Sequence, residues 1–82
     1  MNTPLLRQLI AAGAISRVTF KATPGGFVLC ARVGLGEEVL EAQRGGARLF
    51  RTLDTAARFI YELGLGLFEV DLTKFSSERG LM

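Results

Sequence analysis

The side chains that could do chemistry in this 82-residue chain are few, and most of them are basic. Arg17, Lys21, Arg32, Arg44, Arg48 and Arg51 fall on segments that read as strands or on the turns between them. Gathered on one sheet face, they would suit a phosphate backbone, because such contacts are electrostatic and tolerant of geometry. Spread over several faces, they would be ordinary solvated residues making cross-strand pairs, such as Arg51 with Glu38 or Glu41. Phe20, Phe27, Phe50, Phe59 and Phe68 could serve in part as stacking platforms for single-stranded nucleic acid. Core packing accounts for most of them. Phe59 falls beside the main apolar stripe of its helix and is expected at an exposed or interface position.

Catalytic and metal chemistry finds little support. The pairs Gly34 and Gly36, and Gly45 and Gly46, are not followed by Lys-Ser or Lys-Thr at a helix start, so they read as turn glycines and not as a phosphate loop. Glu37, Glu38 and Glu41 read as a solvated face that discourages edge-to-edge association, since acid–base work needs a partly buried carboxylate pair with separated pKa values. Cys30 lies inside an apolar strand in a chain without histidine, so it reads as a small core residue and not a nucleophile. With one thiol and no imidazole, metal binding would fall to carboxylates alone. No enzyme, metal site or cofactor is expected.

Ten Lys and Arg against eight Asp and Glu leave a net charge of +2, too mild to argue for nucleic acid by itself and of the wrong sign for an acidic DNA mimic. An apolar fraction of 49% with 22% charged residues is the balance of a folded globular chain. A lone cysteine cannot close an intramolecular disulfide, and no secretory pattern opens the chain. No run of about 18 apolar residues appears, so no membrane span is expected. These features point to a cytoplasmic setting.

The elements that would position these residues follow from periodicity. Thr3 and Pro4 read as the N-cap and first residue of a short helix whose apolar stripe is Leu5, Leu6, Leu9 and Ile10, ending at Gly13. From Ala14 to Ala22 the period becomes two, with Ser16, Val18 and Phe20 on one side and Arg17, Thr19 and Lys21 on the other. Thr23-Pro24-Gly25-Gly26 is turn chemistry. Phe27, Leu29, Ala31 and Val33 then share one face of a second strand, and Val28, Cys30 and Arg32 the other. Glu37 to Arg44 is expected to form a strand, and the Gly45-Gly46 pair a hairpin loop setting Gln43 opposite Arg48 and Ala42 opposite Leu49.

Arg48 to Asp71 organises the chain as strand, helix and strand. Thr52 caps a helix in which Leu53, Ala56, Ala57 and Ile60 recur at helical spacing, with Tyr61 and Leu63 at the margins. Asp54 lies favourably in its first turn, and Gly64 or Gly66 ends it. In the last strand Phe68, Val70 and Leu72 form a dry face and Glu69 and Asp71 a wet one. The expected architecture is therefore α+β: a helix, two antiparallel hairpins, then a helix and a strand, with both helices on one face of an antiparallel sheet. A single domain over 1–75 is expected, followed by a tail at 76–82.

Pro4-Leu5-Leu6 with Gly13-Ala14, the Ala42-Gln43-Arg44-Gly45 turn, Arg48, Phe50, Leu53-Asp54-Thr55, and Leu63-Gly64 with Phe68-Glu69-Val70-Asp71 carry a resemblance over nearly the whole chain. The chain resembles the small plasmid partition-associated proteins of the ParC-like type. That resemblance implies a non-enzymatic accessory role in the inheritance of a mobile element, with partition proteins or DNA as partners, and it supplies no catalytic residue. Small size and the lack of a catalytic constellation equally suit a mobile-element inhibitor that occludes a host defence effector. Homodimerisation through the exposed sheet face or an edge strand is expected from the small core.

Overall fold

The computed structural model describes residues 1–75, so the tail at 76–82 lies outside the described residues. Helix α1 spans Thr3–Ala11, strands β1 and β2 span Ile15–Thr23 and Gly26–Val33, and β3 spans Gly36–Val39. Strand β4 is the pair Leu49–Phe50, helix α2 spans Leu53–Glu62, and β5 is Glu69–Asp71. The sheet order is β3-β2-β1-β5, with β4 also paired to β2. The fold class is α+β, as the periodicity predicts. Its sheet is mixed, however, because β5 runs parallel to β1. A chain that leaves the sheet at β4, crosses under α2 and returns beside β1 has room to enter in the parallel sense.

The first hairpin follows the predicted turn, with Thr23 opposite Gly26. Gly26 has φ +146°, and a Cβ there would lie 2.5 Å from the Phe50 carbonyl oxygen. Glycine is therefore required where β4 crosses the end of β2.

The predicted second hairpin is corrected. Strand β3 ends at Val39, and Leu40 still donates to the Leu29 carbonyl at 2.9 Å. The chain then makes a small lobe closed by the Glu41–Ala47 bridge and by Ala42 N–H donating to Gly46 at 2.9 Å. It returns as Arg48 donates to the Leu40 carbonyl, after which Leu49 and Phe50 lie opposite Val28 and Phe27. Thus 36–50 is one edge strand interrupted by a lobe. Gln43 does not pair with Arg48, nor Ala42 with Leu49, because Gly45 and Gly46 both take positive φ and tighten the loop.

Both helices cover the same sheet face. Leu6 of α1 and Ala56 and Ile60 of α2 are fully buried against Phe20, Leu29, Leu40 and Phe50. Each buried Leu, Ile or Phe side chain among them contributes about 1.5–3 kcal/mol relative to exposure. Phe20 meets Phe50 and Phe68 edge-on, with ring centroids 5.5 and 5.2 Å apart. The cap of α1 is one residue earlier than predicted: Asn2 Oδ1 accepts from Leu5 N–H at 2.9 Å. Thr52 caps α2 as expected, its hydroxyl accepting from Thr55 N–H at 3.2 Å, and Gly64 follows the helix with φ +106°.

The last strand departs from its predicted dry face. Phe68 packs on the core, but Val70 and Leu72 are 36% and 52% exposed. β5 has a neighbour on one side only, so the cover that Phe68 receives does not extend to them.

Candidate functional site

The face of the sheet away from the helices is open, and the strand register lays it out as a grid. One row reads Asp71, Lys21, Val28 and Leu49 across β5, β1, β2 and β4. The next reads Glu69, Thr19, Cys30 and Val39, and the third reads Arg17, Arg32 and Glu37. At its centre is an apolar block of Val28, Leu49, Cys30 and Val39. Charged residues flank that block.

This register divides the predicted basic set. Arg17, Lys21 and Arg32 share the open face, but with Glu37, Glu69 and Asp71 among them. Arg17 Nε is 3.7 Å from Glu69, and Lys21 Nζ donates to Glu37 Oε1 at 3.1 Å. Both pairs are solvent-exposed, so each contributes about 0–1 kcal/mol. Arg44 sits exposed in the lobe. Arg48 is on the helix side, its guanidinium 4.9 Å from the Phe50 ring centre and 4.6 Å from that of Phe59. Arg51 lies exposed beyond β4, lining a small cleft beside the Pro24-Gly25 turn. The six basic residues therefore do not form one surface, and the pair predicted between Arg51 and Glu38 or Glu41 is absent among the described residues.

Phe59 is half-buried, tilted against Phe50 with ring centroids 5.1 Å apart and capped by Arg48. It is thus part of the packing and not a free stacking platform. A cation held over two rings gains about 0.5–1 kcal/mol per exposed contact, which gives Arg48 a structural role.

Cys30 is 3% exposed, though it lies on the open face and not in the helix-side core. The Lys21–Glu37 pair spans the grid diagonally beside it. Burial pushes the Cys30 thiol up from its ordinary value, with Lys21 opposing. The hydrogen bond to Glu37 raises Lys21. Asp71 is held below the usual carboxylate range by Thr73, first through its hydroxyl and then through its backbone N–H, which donates to Oδ1 at 2.9 Å.

Sequence reasoning missed the acidic half of this face and its exposed apolar centre. Val39 and Leu49 are 39% and 51% exposed. The alternation of β5 already put Glu69 and Asp71 on one side. Only the parallel docking on β1 shows that this side is shared with Arg17 and Lys21.

A cleft of about 780 Å³ lies between the start of α1 and the glycine lobe, with Asn2, Thr3, Gln43 and Arg48 in its walls. Among the described residues no cluster of three or more His, Cys, Asp or Glu is placed to hold a metal ion. No helix among them is long and apolar enough to cross a membrane.

Fold and face together define a small α+β domain with one sheet face covered by helices and the other uncovered. A family model described as ParC-like matches residues 1–78, and the chain belongs to the ParC-like family. No curated protein and no solved structure matches the chain.

Proposed function

We propose that this protein is a non-enzymatic accessory of a mobile genetic element that acts by binding another protein, within a partition system. The mobile-element and partition parts of the reading rest on its ParC-like family. The protein-binding part rests on one observation: the open sheet face has an apolar centre, Val28, Val39 and Leu49, among charges of both signs. Apolar centres with polar rims are the anatomy of protein interfaces. A phosphate-binding face would instead concentrate cations, and here three acidic side chains interleave with the three basic ones.

The test is affinity capture from host lysate with the tagged protein, with and without nuclease, alongside a Val39→Asp/Leu49→Asp variant. The reading expects a partition protein that survives nuclease and is lost with the variant, whose exposed substitutions leave the core intact. Capture that vanishes with nuclease and with raised salt would overturn it in favour of DNA. A host defence effector as the nuclease-resistant partner would replace the partition role with an inhibitory one.

A further inference from the structure

The two long edges of the sheet differ in how they are finished. At the end of β3 the outer side is occupied: the Met1 nitrogen donates to the Val39 carbonyl at 2.8 Å, and Glu41 N–H donates to the Met1 carbonyl at 2.8 Å. The lobe at 41–47 then carries the chain away from the edge. Strand β5 pairs with β1 alone, and among the described residues nothing lies along its other side. Among the described residues the outward backbone groups of this strand have no partner, and such an edge is the template for adding another strand.

We propose that the β5 edge accepts an extended segment of a partner protein, one whose residues alternate between apolar and Lys or Arg, as an added strand of the sheet. Glu69 and Asp71 point to the open face and would meet the basic side chains of the incoming strand. On the opposite side Val70 and Leu72, 36% and 52% exposed, would pack on its apolar side chains.

A second copy of this chain is the wrong occupant. Antiparallel pairing of β5 with itself about Val70 sets Glu69 opposite Asp71 twice, and parallel pairing sets each acid opposite its own copy. Pairing β5 with the β3 edge of another copy brings Glu69 or Asp71 against Glu37 on the open face. Like charges directly opposite destabilise a ladder, so these edges discourage self-association and select a basic partner. The inference deepens the protein-binding reading but uses an edge that does not include Val39 or Leu49, so the capture experiment and the one below can fail separately.

The test uses the isotopically labelled full chain and two capped synthetic peptides, one alternating valine with lysine and the other alternating valine with glutamate. The lysine peptide is expected to shift amide resonances at 69–72 and of facing β1 residues, whereas the glutamate peptide leaves them unmoved. Glu69→Lys/Asp71→Lys should weaken the lysine peptide by about tenfold, two exposed pairs at roughly threefold each, and admit the glutamate peptide. Val70→Pro, which removes a backbone donor at the strand centre, should abolish binding of the lysine peptide. An unchanged spectrum elsewhere in each variant reports the intact fold. The proposal is overturned if the lysine peptide does not bind, if both peptides bind equally, if the shifts fall on the Val39–Leu49 block, or if the chain alone dimerises through 69–72.

Discussion

The β3 edge and the β5 edge carry the same sign of charge yet are closed in different ways. Both present carboxylates, Glu37 and Glu38 on one and Glu69 and Asp71 on the other, and carboxylates at edges hinder non-specific strand pairing. Behind β3, Leu40 is fully buried, Met1 hydrogen-bonds Val39 and Glu41 on either side of it, and Arg48 N–H donates to its carbonyl. Behind β5 only Phe68 enters the core, and the next two apolar residues face water. The lesson is that charge guards both edges while packing secures only one. An edge guarded by charge alone stays open to a partner of opposite sign.

The largest expected effect falls on the secured edge. Leu40→Ala should destabilise by about 2–5 kcal/mol, since it empties a fully buried site where β3 gives way to the lobe. Val70→Ala on the open edge should cost less than about 1 kcal/mol, the scale of substitutions away from the core. Denaturant unfolding measures both, and equal losses would break the comparison. Gly26→Ala comes next, at about 1–3 kcal/mol, because its Cβ would overlap the Phe50 carbonyl where β4 locks onto β2. Thermal unfolding checks it, and a neutral result would mean that β4 is not held there.

Arg48→Ala should cost about 1 kcal/mol through loss of contact with Phe50 and Phe59, and Arg48→Lys should recover part of it. If the alanine variant instead lost partner capture at unchanged stability, Arg48 would be a binding residue. A smaller effect is expected on the open face. Lys21→Ala should change stability by less than about 0.5 kcal/mol, but it removes half of the pair beside Cys30. Thiol labelling of the folded protein, slow because burial raises Cys30, should slow further at a given pH in the variant, because Lys21 is the charge that opposes that rise.

The smallest effect sharpens the β5 edge itself. Asp71 is depressed by Thr73, so its contribution is present above the unfolded carboxyl value of about 3.9 and is lost as pH falls through the lower folded value. Asp71→Asn should therefore lower the melting temperature slightly at neutral pH and leave it unchanged at the acid end, flattening the limb between them. An unaltered acid limb would show that Thr73 does not fix this carboxylate.

Much of this was legible in the residues. The alternation of Val18, Phe20 and Ala22 against Arg17, Thr19 and Lys21 determined which face of β1 is dry, because a strand has a period of two in any context. Thr52, Asp54 and Gly64 determined where α2 begins and ends, since its caps are satisfied within a few residues. The Pro24-Gly25 turn determined the first hairpin for the same local reason. These decisions need no partner distant in the chain.

Tertiary structure alone decided the rest, wherever two distant segments had to meet. The lobe at 41–47 replaced a simple hairpin because Leu40 is buried against Leu29 and Phe50 against Phe20, holding both its ends beside β2. The parallel entry of β5 set Glu69 and Asp71 beside Arg17 and Lys21, turning a basic set into a face of both signs. Arg48 left that set for the opposite side because Phe50 and Phe59 offered their rings. Residue spacing fixes the face on which a side chain stands within its own strand or helix, but strand order decides which charges become neighbours, and that order emerges only when the core closes.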